Sequence, residues 1–486
     1  MEEQQTKGQQ VGASEQPRLF TAVFVSIVLV TLFCFIVGQG LNSGTSVYID
    51  RLGGSATLAG IGAAVFSGAA IVGRLVSGPL SDRRGRLTTI VAGEVVMLVG
   101  VLGAALSANL DLLMLWRTLQ GLGFSAVTTA AATAAADVLP VERLGEGIGY
   151  YGLGQALAMS VGPAIAIALV STDTPENLFW GLSVAAVLSF FFCAFCRYER
   201  NPQRLPETAT YRRLAEQAER ADQAERAEGA ERIVQADQAD RGNQAERLEP
   251  AEHPEQIGQS QRTGQVAQAE QVERVEHTGR KPAREGGIGS LLSGVLEPGA
   301  LAGGIPHMVI SPAFGFGIFF TGLLGTQLGV GNAGLFYTLS AVAMVIVRLS
   351  SKAFMDRVLP IKLLAVAVAG GVVGFLMLLV TTLGVLPDTA RDIVFYASGI
   401  FYGICLGMAM PVNQTVAVKN SSPERWGAAN GLFLLMLDLG IGLASVFWGI
   451  TNDTLGFSFT ICCVIVLIVA SLGVAYLTYP DSAKHR

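Results

Sequence analysis

Five ionisable side chains lie inside long apolar segments, and they are the residues of this sequence best placed to do chemistry. They are Arg74, Glu94, Arg117, Arg348 and Asp438, with His307 near the start of a further apolar segment. Because a charge is costly inside such a segment, each group is expected to face the protein interior and to pair there or to act on an ion or proton. We find no phosphate-binding glycine loop, metal-ligand cluster or nucleophile–base set. We therefore do not expect an enzyme.

The composition indicates an integral membrane protein. Only 15% of the 486 residues are charged, and the mean hydropathy is +0.48, whereas a soluble chain of this size carries far more charge. The net charge of −5 predicts no nucleic-acid partner. Cys193 and Cys196 have the spacing of a metal or redox pair, but no second pair or nearby histidine accompanies them. We interpret them as helix-packing residues and expect no metal site.

Twelve apolar segments are long enough to cross a bilayer, which takes about 20 helical residues. The first six are residues 19–41, 57–80, 87–107, 112–136, 145–170 and 178–195, and the second six are residues 299–325, 332–355, 361–385, 393–416, 427–450 and 457–477. The first half is echoed in the second, because eight residues between positions 59 and 83 recur without a gap between positions 333 and 357, an offset of 333 minus 59, or 274. A weaker echo joins residues 143–149 to 425–431. Two parallel repeats of six helices are typical of secondary transporters.

The basic residues of the short loops predict the orientation. One side holds Arg83, Arg84, Arg86, Arg143, Lys352, Arg357, Lys362, Lys419 and Arg425, and the other holds Arg51 and Arg391. Cytoplasmic loops carry the excess of positive charge. We therefore expect both termini in the cytoplasm of a cell whose inner (plasma) membrane holds the protein.

The predicted domain organisation has five parts: a cytoplasmic tail (1–18), a six-helix bundle (19–198), a linker (199–297), a second bundle (298–480) and a short tail (481–486). The linker is polar and repetitive, and it lacks the apolar area needed to offset ordering entropy. We predict a disordered cytoplasmic spacer, with a regulatory or partner-docking role as the alternative. Residues 288–296 are expected to lie at the membrane surface.

The loop after the second apolar segment carries the sequence's most specific motif. It reads Gly78-Pro-Leu-Ser-Asp82-Arg83-Arg84-Gly85-Arg86, which resembles the signature Gly-x-x-x-Asp-Arg-x-Gly-Arg of the major facilitator superfamily. Gly78 would permit close helix approach and Gly85 a tight turn. The resemblance implies an all-α membrane fold of two six-helix bundles related by a pseudo-two-fold axis, with Asp82 locking the cytoplasmic side in the outward-facing state. The alternative is that these arginines only set topology.

Three further motifs match this family in part. The second-half copy of the loop keeps Asp356 and Arg357 but loses both glycines, so we do not assign it an equal role. Arg117-Thr-Leu-Gln120-Gly121 resembles the family's Arg-x-x-Gln-Gly pattern, which implies proton coupling or substrate binding by Arg117; the alternative is a purely structural arginine. Gly162-Pro163 resembles part of the antiporter motif of the fifth helix, and the alternative is a proline kink.

Arg74 and Asp438 are predicted to form an ion pair between the bundles. In the fold that the resemblance implies, helices 2 and 11 pack together, and the two residues lie at similar depths in them. We expect the pair to be closed facing outward and broken facing inward, with protonation of Asp438 releasing it. The alternative is that Asp438 supports helix packing near Gly440 and Gly442. Glu94 is expected at the inner rim of helix 3, and helix 1 has no carboxylate.

Helices 1, 4, 7 and 10 line the central cavity in this family, which implies a set of substrate contacts. The candidates are Gln39, Asn42, Arg117, Gln120, Phe316, Phe320, Tyr402, Asn413 and Gln414. Such a cavity suits a moderately apolar or anionic organic solute. The resemblance implies a monomeric transporter that uses a proton gradient and no bound cofactor. We expect drug or metabolite efflux by proton antiport, with proton-coupled or facilitated uptake as the first alternative and a non-transporting receptor or scaffold as the second.

Overall fold

The computed structural model describes thirteen α-helices among its placed residues. Those residues are 18–107, 109–140, 143–200, 203, 205, 209–212, 216, 220, 223, 226–227, 297–355, 357–422 and 426–484. Within them no β-strand is present, only an isolated bridge between Pro140 and Ala209. The N-terminal tail, residues 288–296 and most of the predicted linker lie outside the described residues.

Both halves are helical throughout. The first half contains α1 (Ala22–Arg51), α2 (Ala56–Arg84), α3 (Arg86–Leu106), α4 (Leu110–Val138), α5 (Leu144–Val170) and α6 (Asn177–Cys193). The second half contains α7 (Leu301–Phe319), α8 (Thr321–Gln327), α9 (Gly334–Met355), α10 (Pro360–Thr382), α11 (Asp388–Lys419), α12 (Trp426–Thr478) and the short α13 (Asp481–Lys484). Every predicted apolar segment overlaps one of these helices.

Helix lengths confirm a membrane protein, although the predicted boundaries are wrong in places. Among the described residues, eight helices are long and apolar enough to cross a membrane, and two shorter apolar helices cover residues 177–193 and 334–350. The helix α12 holds two predicted segments, which meet at Gly456 with φ of +80°. The seventh predicted segment is divided at Phe320 into α7 and α8. The helix α1 extends to Arg51 rather than residue 41, because buried polar residues such as Asn42 continue it.

Side chains at the helix starts accept hydrogen bonds from backbone N–H groups that the first helical turn leaves without a partner. Thr21 accepts from the backbone N–H of Phe24 before α1, and Ser55 does the same for Leu58 before α2. Asn109 caps α4. These short polar residues end one turn and begin the next helix.

The two halves meet through repeat-related helix pairs. The second helix of each half packs against the fifth helix of the other, so that α2 contacts the first half of α12, and α9 contacts α5. The central helices α1, α7 and α8 also meet. The Arg74–Asp438 prediction depends on packing between the second and the eleventh predicted helices, which are α2 and the first half of α12 in the structure. The contact between them confirms that packing.

The structure is tightly closed at one end, which we call the Asp453 end; the opposite end, with the loop between α2 and α3, is the Arg86 end. At the Asp453 end a Cβ on Gly449 would lie 2.6 Å from the carbonyl oxygen of Ala56. The nearby halves of the central helices, residues 36–49 of α1 and 310–325 of α7 and α8, are buried on every face. The bundles therefore leave no room for a solute to pass at this end.

Packing is looser towards the Arg86 end. A Cβ on Gly78 would meet no atom within 4 Å, and the same holds for Gly149 of α5 and Gly431 of α12. The prediction that Gly78 lets two helices approach closely is therefore wrong for this conformation. The prediction fails because the two bundles are not in close contact at the level of Gly78.

The chain that follows α6 stays packed on the first bundle beyond the predicted boundary at residue 198. Tyr198 and Tyr211 meet edge to face, with ring centroids 5.3 Å apart. The backbone N–H of Thr210 donates to the carbonyl of Leu139 at the end of α4, and Leu205 and Ala209 are buried. The predicted spacer thus begins later in the chain than residue 199, because these residues do supply apolar area to bury.

Candidate functional site at the bundle interface

Arg74 and Asp438 form an ion pair that joins α2 to α12. The Arg74 Nε lies 2.6 Å from Asp438 Oδ2, and the two side chains are 11% and 15% exposed. Arg74 Nη1 also donates to the hydroxyl of Thr128 on α4, at 3.4 Å. The predicted pairing is present, whereas its role as a gate remains a prediction. Gly442 packs at the same interface, where a Cβ added to it would lie 2.9 Å from the Cβ of Ser67.

The repeat-related interface between α9 and α5 has alanine at the position that corresponds to Asp438. Arg348 occupies the position of Arg74 in the second half, and its Nη1 donates to the carbonyl of Gly152 at 2.9 Å. The second echo offsets the halves by 425 minus 143, or 282, which makes Ala156 of α5 the repeat counterpart of Asp438. The Arg74–Asp438 ion pair is a contact that protonation of a carboxylate can release.

Asp453 holds the bundles together at the opposite end, and the sequence analysis missed it. One carboxylate oxygen accepts from the backbone N–H of Ala56 at 3.0 Å, and the other accepts from that of Thr57 at 2.7 Å and from its hydroxyl. A carboxylate of the second bundle thus caps the N-terminus of a first-bundle helix, where the helix dipole favours negative charge.

A second polar contact lies at the Asp453 end. Gln327 Nε2 donates to Asp50 Oδ1 at 2.9 Å, which joins α8 to α1. The sequence did contain polar residues between predicted helices at these places. Nothing in their spacing showed that they meet across the bundles, because the contacts join residues some 280 to 400 positions apart.

The signature loop is bonded to its own bundle at the Arg86 end. Gly85 has φ of +94°, as the predicted tight turn requires. Glu199 caps α3 by accepting from the backbone N–H groups of Arg86 at 2.6 Å and Leu87 at 3.1 Å. Arg86 Nε pairs with Asp137 at 3.2 Å. The loop is thereby fixed to the end of α4 and to the chain after α6.

Other members of the predicted gate are less well defined. Arg83 is exposed. Asp356 and the side chain of Asp82 lie outside the described residues, so the predicted lock by Asp82 remains a prediction. Tyr198 donates to Asp137 at 2.9 Å. Burial, together with the neighbouring Asp137 carboxylate, raises the pKa of the Tyr198 phenol, so this hydroxyl remains protonated.

Arg117 joins three helices of the first bundle. Its guanidinium donates to Asn42 Oδ1 of α1 at 2.7 Å, to the Gly62 carbonyl of α2 at 3.2 Å and to Gln120 Oε1 at 3.2 Å. It also stacks over the Phe66 ring, 4.5 Å from the centroid. The side chain is 1% exposed. This geometry supports the structural alternative for Arg117, and its part in substrate binding or proton coupling remains a prediction.

The residues after Arg117 extend the same packing. Gln120 Nε2 donates to the Gly100 carbonyl of α3 at 2.9 Å. Gly121 lets α4 approach the backbone of α2 at Phe66. Gly162 of α5 likewise faces α1, where its Cβ would lie 2.6 Å from the Ile36 carbonyl oxygen. Pro163 lies within the continuous α5. Both motif regions therefore serve helix packing in this conformation.

The aromatic substrate candidates form part of the second bundle's interior. Phe316 and Phe320 are fully buried, with ring centroids 5.9 Å apart. Tyr402 is 4% exposed and donates to the carbonyl of Phe314 at 3.1 Å. The structure does not bring these rings to the Arg117 cluster. Their contact with a substrate remains a prediction that needs another conformation.

The remaining polar candidates are separate from one another. Asn413 accepts from the Tyr479 hydroxyl at 2.7 Å, and its Nδ2 lies 3.5 Å from His307 Nδ1. Gln414 of α11 donates to Asn430 of α12. Gln39 is buried in α1, and its Oε1 has no hydrogen-bond partner in the structure.

Glu94 is deeply buried, so its predicted place at the inner rim is wrong. The side chain is 0% exposed. Its Oε1 lies within hydrogen-bond distance of the Ser189 hydroxyl of α6, while its Oε2 has no hydrogen-bond partner. The error arose because α3 packs against α4 and α6, which linear distance from a loop does not reveal.

Comparison with known proteins decides the family. The profile described as Major Facilitator Superfamily matches residues 19–391 and 376–486. The chain belongs to the major facilitator superfamily. This is a family of membrane transporters, and the chain is accordingly a multi-pass membrane transporter rather than an enzyme, with the two-bundle fold of that family.

Individual relatives are distant. An uncharacterised MFS-type transporter of Bacillus subtilis, YvkA, is 25% identical over 39% of this chain and 42% of its own length. The staphylopine export protein of Staphylococcus aureus is 27% identical over 35% of this chain and 42% of its own length. The matched stretches thus span less than half of these curated relatives. The crystal structure of a D-xylose-proton symporter superposes with a TM-score of 0.64 and 13% identity, over 96% of this chain and 99% of that one, which shows the shared fold.

Proposed function

We propose that this superfamily member exports a small organic solute across the cytoplasmic membrane in exchange for protons, as a monomer with both termini in the cytoplasm. Transport proceeds by alternating access, in which the two bundles rock about a site between them. The observation that carries the mechanism is the Arg74–Asp438 ion pair between the bundles. It is a contact that a proton can release, on the side opposite to the Asp453 cap.

One end of the bundle interface is closed in this conformation. The Asp453 cap closes it, and the ion pair holds the bundles together nearer the other end, where Gly78 and Gly431 meet no neighbour. The ion pair is thus intact although the bundles are not in close contact around Gly78. Opening at the Arg86 end then requires the pair to break, so the sequence-based expectation applies to the next step of the cycle.

Export is favoured over import by the curated relatives, which include the staphylopine export protein. Proton coupling is favoured by the Asp438 carboxylate at the interface, because protonation removes one charge of the pair and leaves an arginine that water can reach once the bundles part. The solute class we expect is a moderately apolar or anionic organic molecule.

The test uses purified protein in liposomes that contain a pH-sensitive dye and an acidic interior. A panel of organic anions and apolar drugs is added outside. Antiport predicts that an accepted solute makes the interior more alkaline, because protons leave as the solute enters. The Arg74→Asp variant is expected to lose this response, while Asp111→Asn, an exposed acid in the first turn of α4, is expected to keep it.

Proton-coupled uptake is the second candidate, and the D-xylose-proton symporter shows that this fold can perform it. In the same assay, symport predicts the opposite sign, a more acidic interior, because protons enter together with the solute. Solute movement with no proton movement would contradict coupling and leave a facilitator.

A further inference from the structure

We propose that Glu94 is a second proton-binding carboxyl of this transporter, and that Ser189 passes its protonation state to the central helix α1. The inference rests on the proposed proton-coupled function and deepens it by assigning the proton a second site, away from the Arg74–Asp438 pair. Glu94 lies eight residues, or about 12 Å, along α3 from Arg86.

Glu94 is buried, and no cation is paired with it among the described residues. The side chain is 0% exposed, and one of its two carboxyl oxygens has no hydrogen-bond partner. An ionised carboxylate in such a place is costly unless an opposite charge compensates it. Among the described residues no ion pair involves Glu94. The group is therefore neutral in this conformation, holding one proton that it can release when its surroundings change.

The groups around Glu94 offer no competing charge. The titratable neighbours on the packed helices are the thiols of Cys34 on α1 and Cys193 on α6, and a neutral thiol does not stabilise a carboxylate as a cation does.

The charged side chains of the adjacent α2 and α4 bond elsewhere. Arg74 pairs with Asp438, Arg117 donates to Asn42, and Asp137 pairs with Arg86. Nothing in the described part of these two helices is therefore directed at Glu94 as a counter-ion.

Ser189 connects Glu94 to α1. Its Oγ lies within hydrogen-bond distance of Glu94 Oε1 and, at 3.0 Å, of the carbonyl oxygen of Val30. A hydroxyl has a single proton to donate. When Glu94 is protonated, its O–H donates to Ser189 Oγ, and Ser189 donates to Val30. When Glu94 loses its proton, Ser189 turns to the carboxylate, and the Val30 carbonyl loses its hydrogen bond from Ser189.

This exchange gives protonation a mechanical consequence. Val30 lies in the partly exposed part of α1, six residues before the fully buried stretch that begins at Ile36. A lost hydrogen bond between α6 and α1 weakens the hold on a helix that contacts the other bundle through α7 and α8. The proton on Glu94 thereby biases the position of α1 without direct contact with the solute.

Infrared spectroscopy of the full chain in lipid tests the protonation directly and needs no solute. We expect a carboxylic-acid carbonyl band at neutral pH in the wild type that is absent from Glu94→Gln and is lost on titration to higher pH. Ser189→Ala should move the midpoint of that titration, whereas Ser183→Ala, another buried α6 serine that bonds only to its own helix, should not. Absence of the band from the wild type, or an unchanged midpoint in Ser189→Ala, would overturn the proposal.

The transport assay then separates this inference from the proposed function. With a solute accepted by the wild type, Glu94→Gln is expected to reduce proton-driven transport about tenfold or more relative to solute exchange without a pH gradient, within the range of ordinary coupling energies. Equal effects on both would refute a coupling role. If Glu94→Gln does not fold, Glu94→Asp keeps the carboxyl and is expected to keep coupling with an altered pH profile. A wild type that moves solute but no protons refutes the proposed function itself, whatever the infrared result.

Discussion

The Arg74–Asp438 ion pair is the residue-scale feature on which the account depends most. Both side chains are largely buried at the bundle interface, so removing one partner leaves an uncompensated charge that costs about 3–5 kcal/mol. Reversing one charge should therefore be worse than reversing both.

We predict that Arg74→Asp and Asp438→Arg each abolish transport, and that the double variant restores a measurable part of it. Solute-driven proton flux in liposomes is the measurement, with equal reconstitution checked for each variant. A double variant as inactive as either single one would argue against direct pairing.

The Asp453 cap gives a second prediction at this scale. Asp453→Asn keeps an N-capping side chain but loses the charge at the start of α2, so it should favour opening at the Asp453 end by about 1 kcal/mol, or about fivefold. Alkylation of a single cysteine engineered at that end measures the opening. Asp111→Asn is the matched control, and equal alkylation of the two variants would contradict a special role for Asp453.

Residue identities alone predicted one of these two contacts. Arg74 and Asp438 were predictable because both are ionisable residues inside apolar segments, where a partner is required. Asp453 was not, because a carboxylate between two predicted helices is ordinary and its partners are backbone N–H groups of a distant helix. Glu94 was named but placed wrongly, since the sequence does not show which helices cover it.

At the scale of elements, the turn between α2 and α3 depends on a single glycine. Gly85 has φ of +94°, and a Cβ there would lie 2.8 Å from Glu199 Oε2, the residue that caps α3. Gly78, seven positions earlier, lies inside α2 with open space around it. The two glycines of one motif thus have different physical roles in this conformation.

We predict that Gly85→Ala lowers stability by about 1–3 kcal/mol through backbone strain and a displaced cap, whereas Gly78→Ala leaves stability unchanged or raises it by up to about 1 kcal/mol because alanine favours helix. Thermal unfolding of the detergent-solubilised protein measures both. A Gly78→Ala variant less stable than Gly85→Ala would contradict these assignments.

The sequence predicted the helices well and their ends less well. Hydropathy located all twelve segments, since a span needs a long apolar run. It stopped α1 early because the buried Asn42 and Ser43 look like loop residues, and it could not show that α7 ends at Phe320. The packed stretch around Leu205 was missed because it lies in a polar region where a few apolar residues suffice.

At the scale of the whole molecule, Gly78 distinguishes this conformation from the rest of the cycle. If the bundles close tightly at the Arg86 end in another state, a methyl group at position 78 obstructs that state only. Gly78→Ala is then expected to reduce transport several-fold while the protein remains stable, an effect of about 1–2 kcal/mol on one state. Normal flux in this variant would show that Gly78 never enters a close contact.

The central claim is that the two ends open in turn, with the ion pair controlling the Arg86 end. Its most direct test is the measurement of spin-label distances in lipid nanodiscs, in a background without the native cysteines. One pair, at Arg84 and Ser422, spans the bundles at the Arg86 end, and the other, at Leu52 and Leu383, spans them at the Asp453 end; all four positions are exposed. Relative to wild type, Asp438→Asn should lengthen the first distance and leave the second short. Unchanged distances at the Arg86 end, or lengthening at both ends together, would contradict the account.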